Sequence, residues 1–213
     1  MYQEFQNGWI EVICGPMFAG KSEELIRRIR TLKFANKNIK CFKPSIDKRY
    51  SETEIASHAG GKYEAFAVTS VEEIANLVTD DTEVVAIDEI QFFDNSIITL
   101  LDKFANSGKR VIVAGLDMDF RGEPFGVMPT LLAKAEFVTK LSAACKICGK
   151  GATRTQRIID GKPAYYEDPI IVVGANECYE ARCRCHHEVP HKDKWLINLL
   201  NEGFLNAKKE MLT

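Results

Sequence analysis

Apolar residues recur along the first two thirds of the chain in short runs separated by amphipathic stretches. Trp9 to Cys14, Ile39 to Lys43, Glu83 to Asp88, Arg110 to Gly115 and Glu136 to Leu141 read as strands. In Val84-Val85-Ala86-Ile87 and Val111-Ile112-Val113-Ala114 every position is apolar, the pattern of strands covered on both faces. Helical spacing fills Ser22 to Phe34, Val71 to Val78 and Ser96 to Ala105. This alternation predicts an α/β fold, a mostly parallel sheet flanked by helices.

The pattern breaks between Leu141 and Ala143. Beyond it the chain is rich in cysteine and interrupted by glycine and proline. Ile158 to Cys183 reads as loop, with Gly161, Pro163, Pro169 and Gly174 as its punctuation. Ser45 to Lys62 is polar and also reads as loop. Lys192 to Met211 has helical spacing, with Trp195, Leu196, Leu199, Leu200 and Phe204 along one side. The expected division is a core at 1–141, a small cysteine-bearing unit at 142–191 and a terminal helix at 192–213.

The first strand runs into Gly15-Pro16-Met17-Phe18-Ala19-Gly20-Lys21-Ser22, which satisfies G-x-x-x-x-G-K-[ST]. Strand before and helix after is the context such a phosphate-binding loop requires. Its glycines let backbone N–H groups turn inward around an anion, and the helix that follows directs its positive end at the same point. Lys21 would reach the β- and γ-phosphates of ATP, and Ser22 would offer a hydroxyl to Mg²⁺. A second element fits the same chemistry. The strand Val84 to Ile87 ends in Asp88 and Glu89, and a carboxylate there helps to organise Mg²⁺. Asp88 is the candidate for that. Glu89 is expected on the other side of the strand end, where it would take a proton from an attacking hydroxyl or position a water.

The chain has 213 residues, 46% of them hydrophobic, enough for one full domain and an appendage. A net charge of -2 gives no electrostatic case for nucleic acid or an anionic membrane. No segment approaches the ~20 apolar residues of a membrane span, and no basic start followed by an apolar stretch marks a secretory signal. The seven cysteines are an odd count. Paired spacing near the C-terminus favours a metal site in a reducing cytoplasm over a disulfide framework. Cys145 and Cys148 form one C-x-x-C pair, and Cys183 and His186 repeat its gap, as in a zinc ribbon. Redox activity of Cys145 and Cys148 is the alternative. For the fourth ligand, Cys185 and His187 compete with His186. Cys14, Cys41 and Cys178 read as packing thiols.

Together these motifs resemble type II thymidine kinase, the cytosolic deoxynucleoside kinase with a phosphate-loop core and a zinc-bearing lasso. The resemblance runs from about Trp9 to His186. Beyond the phosphate loop and the zinc pairs, it rests on Asp47-Lys48-Arg49-Tyr50-Ser51, Asp88-Glu89-Ile90-Gln91-Phe92-Phe93, Leu116-Asp117 and Pro124-Phe125-Gly126. It implies a homotetramer that transfers the γ-phosphate of ATP, with Mg²⁺, to the 5′-hydroxyl of thymidine or deoxyuridine, under feedback inhibition by dTTP. It implies that Glu89 is the catalytic base and that Asp47 and Arg49 lie near the sugar and phosphates. Met17, Phe92, Leu116, Phe120 and Phe125 would wall the thymine pocket. Thr155 and the backbone of Ile170, Ile171, Val172, Val173 and Gly174 would cover the base, with Tyr179 as anchor. Cys145, Cys148, Cys183 and His186 would hold zinc.

The residues themselves allow a competing class, an ATPase that drives a nucleic-acid or protein partner. In that reading Glu89 activates water, and the ribbon grips its partner through Arg154, Arg157, Arg182 and Arg184. No motor motif supports it. A vestigial loop on an interaction module is disfavoured, because Lys21, Ser22, Asp88 and Glu89 are all intact. His58, in the polar stretch, reads as a solvated histidine. Arg27, Arg28 and Arg30 read as a solvated or subunit-facing surface.

Overall fold

The computed structural model describes residues 8–46, 54–56, 61–171 and 177–192. Asp47, Arg49, His58, Val172, Val173, Gly174 and the C-terminal helix expected after Lys192 lie outside the described residues.

The core is a parallel sheet of six strands in the order β5-β2-β6-β7-β1-β8. These are β1 (Trp9–Cys14), β2 (Ile39–Pro44), β5 (Phe66–Val68), β6 (Val84–Ile87), β7 (Arg110–Gly115) and β8 (Phe137–Lys140). Four helices connect them: α1 (Lys21–Phe34), α2 (Val71–Leu77), α3 (Ser96–Asn106) and α4 (Met128–Lys134). The expected α/β architecture is thus present, with strand limits close to those read from apolar runs.

The period-2 geometry of a strand explains why consecutive apolar residues are needed. On β7, Val111 and Val113 face one layer of core, while Ile112 and Ala114 face the other. On β6, Val85 and Ile87 join the first layer, and Val84 and Ala86 the second. α3 and α4 pack over the first layer through Ile97, Leu101, Phe104, Met128 and Leu131, and α2 adds Val71 and Ile74. α1 covers the second with Leu25, Ile26 and Ile29.

β1 breaks the apolar rule at one position. Glu11 is 4% exposed and lies on the α1 side of the sheet. It accepts from Arg28 Nη1 at 2.7 Å, Arg110 Nε at 2.6 Å and the Trp9 indole N–H at 2.7 Å. A buried carboxylate is tolerated only with such a complement of donors. The network ties α1 to β1 and β7.

Two stretches read as loop from the sequence contain strands among the described residues. Within Ser45 to Lys62, β3 (Glu54–Ala56) pairs antiparallel with β4 (Lys62–Glu64), and Ile55 is buried in the α1 layer. One buried residue in a polar segment leaves no periodic signal. In Ile158 to Cys183, β11 (Arg154–Ile159) pairs antiparallel with β13 (Glu177–Arg182) from Arg154↔Arg182 to Ile159↔Glu177. β12 (Lys162–Pro163) adds a third strand. Arginine, glutamine and glutamate fill these strands, so composition disguises them. β9 (Ala143–Ala144) and β10 (Gly151–Ala152) form the hairpin that carries the first cysteine pair.

Leu101→Ala on the fully buried face of α3 should cost about 2–5 kcal/mol. Urea unfolding measures it; a loss below ~1 kcal/mol would place α3 outside the cooperative core.

Candidate active site and metal centre

The chain leaves β1 at Cys14 and makes the glycine-rich loop 15–22 before α1 begins. Two steric facts explain its sequence. Gly15 has φ 143°, and a Cβ there would lie 2.5 Å from the Leu141 carbonyl oxygen. Gly20 adopts the left-handed conformation, φ 81°, as the residue that starts α1. Phe18 is left-handed as well, at φ 64°, which a non-glycine residue rarely adopts. Pro16 is buried, Met17 and Ala19 are half-buried and Phe18 is exposed. Lys21 is buried and donates to the Pro16 carbonyl at 2.8 Å, which holds its ammonium group inside the loop.

β6 lies two strands from β1, across β7. Asp88 at its end nevertheless lies near the loop, close enough for the Ser22 hydroxyl and Lys21 to favour its ionised form. Burial and the neighbouring Glu89 carboxylate push Asp88 well above the usual carboxylate range. Ser22, the Glu89 amide and Lys21 pull it partly back. Glu89 does not continue the strand to its opposite side. It turns left-handed, φ 52°, and leads into a short 3₁₀ turn at Ile90–Phe92, so both carboxylates occupy one buried field.

Gln91 fixes the second carboxylate. Its amide nitrogen donates to Glu89 Oε2 at 2.5 Å, and its amide oxygen accepts from the Leu116 N–H at 3.1 Å. Because a backbone N–H can only donate, the amide orientation is determined. Gly115 makes room for it, since a Cβ there would lie 2.5 Å from Gln91 Oε1. Sequence reading quoted Gln91 only as part of a motif. The signal available was its polar side chain beside two acids at the end of an apolar strand.

The aromatic residues separate into different environments. Phe92 and Phe125 are half-buried and meet edge to face, with ring centroids 5.7 Å apart. Leu116 is half-buried and directly follows β7. Phe93, the residue after Phe92, belongs instead to the hydrophobic core with Ile97 and Leu101 of α3. Phe120 is buried, with the guanidinium groups of Arg121 and Arg157 over its ring. Thr155 is buried on β11, and its hydroxyl accepts from the Met17 N–H at 3.0 Å, joining ribbon to loop. Ile170 and Ile171 are exposed, and Tyr179 is half-buried opposite Arg157.

Cys145, Cys148, Cys183 and His186 converge, with all ligand atoms within 4.8 Å of one another. The edges match a zinc tetrahedron. Bonds of 2.0–2.3 Å require S···S separations of ~3.8 Å and S···N separations of ~3.5 Å. Cys148 and Cys183 sulfurs are 3.8 Å apart, and His186 Nδ1 lies 3.8 Å from Cys145 Sγ and 3.2 Å from Cys183 Sγ. Burial opposes a thiolate at Cys145, but the N–H groups of Cys183, Cys148 and Ile147 outweigh it and hold the thiol at about 5. The competing fourth ligands are elsewhere: Cys185 is exposed, and His187 Nε2 bonds the Phe120 carbonyl at 2.8 Å. All seven cysteines are free thiols. Cys14 and Cys41 are buried, and burial raises them to about 11 and 12. Cys178 is not a packing thiol as expected: it is exposed on β13, an edge strand of the ribbon sheet.

A glycine-rich loop between strand and helix, two buried carboxylates near it and a four-ligand cysteine–histidine cluster that could hold zinc define the class, an α/β protein with the parts of a phosphoryl-transfer site. The family model for thymidine kinase matches residues 8–187, and the chain belongs to that family of kinases. Among the described residues no helix is long and apolar enough to cross a membrane.

Purified without chelators, the protein should contain about one zinc ion per chain. Cys145→Ser should lose it, whereas Cys185→Ser and His187→Ala should retain it. Metal analysis checks this; zinc loss in His187→Ala with retention in His186→Ala would move the fourth ligand.

Proposed function

We propose that the protein transfers the γ-phosphoryl group of ATP to the 5′-hydroxyl of thymidine and of deoxyuridine. The observation that carries this reading is the buried Asp88–Glu89 pair at the end of β6, with the Ser22 hydroxyl and Lys21 of the loop after β1 close enough to favour the ionised form of Asp88. Family membership makes the protein a thymidine-phosphorylating kinase; the donor and the residue roles are the proposal.

Backbone N–H groups of the loop Gly15–Gly20, apart from Pro16, which has none, and Met17, whose N–H bonds Thr155, hold the phosphates together with Lys21. The Ser22 hydroxyl and the Asp88 carboxylate are hard oxygen donors side by side, a set that fits Mg²⁺. Bound with ATP, Mg²⁺ neutralises charge on the phosphate oxygens. Glu89 accepts the proton of the 5′-hydroxyl as that oxygen bonds the γ-phosphorus, and the bond to the β–γ bridging oxygen breaks with its electron pair leaving on ADP. Gln91 keeps the Glu89 carboxylate in one orientation while it does so. Asp47 and Arg49 serve the sugar and phosphates. A slot of Met17, Phe92, Leu116, Phe120 and Phe125 takes the thymine ring. Thr155, Ile170, Ile171, Val172, Val173 and Gly174 cover it, with Tyr179 beneath.

In this reading 1–141 handles phosphate and 142–191 closes over the base, with zinc stapling the foot of the ribbon and 192–213 forming a terminal helix. Assembly is a homotetramer, dTTP acts as a feedback inhibitor, and the free thiols suit a cytoplasmic location. The competing partner-driven ATPase loses its support. Of the four ribbon arginines it called on, Arg157 is buried, Arg154 is half-buried and Arg182 is engaged by Glu180 and the His186 carbonyl, which leaves Arg184 alone exposed, too little for a nucleic-acid surface.

Glu89→Gln should bind thymidine nearly normally yet lose ~10²–10⁴ in kcat. Near-wild-type kcat would remove Glu89 from the mechanism. In a nucleoside panel with ATP and Mg²⁺, thymidine and deoxyuridine should both react, the missing methyl costing ~1–3 kcal/mol. Deoxyguanosine and deoxyadenosine should be inert; comparable kcat/KM for deoxyguanosine and thymidine would sink the slot.

A further inference from the structure

Phe120 is buried beneath two guanidinium groups. The Arg157 carbon Cζ lies 5.2 Å from its ring centroid and the Arg121 Cζ 5.6 Å. The two arginines come from different parts of the molecule. Arg121 follows Phe120 in the loop after β7, and Arg157 projects from β11 of the ribbon. Yet they bond consecutive carbonyls: Arg121 Nη2 donates to Asp168 at 3.0 Å, and Arg157 Nη1 donates to Pro169. Arg121 also lies over the Tyr166 ring, 5.0 Å from its centroid.

Arg157 is only 1% exposed. A buried guanidinium is costly unless its charge is met by acceptors or aromatic faces. Here the carbonyl of Pro169 and the face of Phe120 supply both. Arginine suits the task because its planar fork stacks on a ring and donates sideways at the same time, which a lysine ammonium cannot do. The next residues, Ile170 and Ile171, are 38% and 48% exposed, so the clamp sits where the chain emerges from the ribbon onto the surface.

We propose that Arg121 and Arg157 are positioning residues that set the distance between Phe120 and the segment Asp168–Ile171, and so set the size of nucleobase the slot admits. This rests on the reading of the Phe120 side as the thymine slot. With the clamp intact, the segment is held against one face of a buried ring and a single planar pyrimidine fits. With it loosened, the segment rides higher, so a pyrimidine is held poorly and a purine is no longer refused. The clamp's contacts run to Phe120, Tyr166 and the carbonyls of Asp168 and Pro169, and phosphoryl transfer is assigned to other residues.

The test is steady-state kinetics of Arg121→Lys and Arg157→Lys with thymidine, deoxyguanosine and ATP, on zinc-loaded protein. Each variant is expected to raise KM for thymidine roughly tenfold to a hundredfold, the scale of one charge-assisted hydrogen bond with a cation–π contact. kcat at saturating thymidine should stay within about threefold and KM for ATP should not move, the signature of lost binding without lost chemistry. The deoxyguanosine-to-thymidine ratio of kcat/KM should rise. Unmoved KM for thymidine in both variants overturns the proposal. So does a parallel loss of kcat, ATP affinity and zinc, which marks a general structural role. If Arg157→Lys does not fold, Arg121→Lys, at a half-buried position, decides alone. A wild-type protein inert toward thymidine would sink the thymine-slot reading itself. An active wild type with unchanged variants sinks only the clamp.

Discussion

Two adjacent carboxylates buried at the end of one strand are the constraint from which the rest of the site follows. Asp88 and Glu89 are both nearly inaccessible, and each raises the other's cost of ionisation. A fold can hold such a pair only by surrounding it with donors and positive charge. Ser22 and the Glu89 amide answer Asp88, the Gln91 amide answers Glu89, and Lys21 lies within electrostatic reach. Each of these sits where backbone geometry puts it. Lys21 and Ser22 open α1 because Gly20 turns left-handed before them, and Gln91 fits because Gly115 has no side chain. The glycines thus act at a distance from the chemistry: they let the compensating groups come close enough.

The sequence disclosed those parts of the structure whose physics is local or periodic. Buried parallel strands must be apolar on both faces, so β1, β6 and β7 announced themselves with almost their observed limits. Metal ligands must recur at short spacing, so the two cysteine-bearing turns were visible, although only the fold separated His186 from His187 by giving the latter a carbonyl partner. What stayed hidden depends on contacts between distant residues. β11 and β13 carry arginine, glutamine and glutamate because their cohesion comes from cross-strand pairing and from partners outside the ribbon, and such strands have no apolar signature. Gln91 and Arg157 were unreadable for the same reason. A glutamine that locks a carboxylate and an arginine that covers a ring look, in one dimension, like any polar residue.

Zinc and the clamp address two ends of one problem. A ribbon of short, polar strands buries little apolar surface: its own cluster is small, built on Cys145, Ala152 and Ala181. Such a unit needs a staple, and a zinc ion held by the four convergent ligands, as proposed above, would supply it. The same knuckle that carries His186 places His187 against the Phe120 carbonyl, so the metal centre is mechanically continuous with the loop after β7. Lys192 extends this, bonding the Arg121 carbonyl at 2.6 Å and pairing with Glu123 at 2.8 Å.

The exchange of contacts between core and ribbon is reciprocal, and that has a consequence for how the site is built. Thr155 of the ribbon receives the Met17 N–H of the glycine loop, and Arg157 of the ribbon covers Phe120 of the core. In return, Arg121 of the core holds the Asp168 carbonyl of the ribbon. Neither part completes the nucleoside side of the site by itself. Removing the ribbon would strip Phe120 of its cover and the Met17 amide of its partner, leaving a buried ring and a backbone donor without what they were folded against. The Met17–Thr155 bond couples the glycine loop to the ribbon directly. On the proposed reading, the distance between donor phosphate and acceptor hydroxyl would depend on that contact as much as on either pocket, and positional precision there is the kind that phosphoryl transfer needs most.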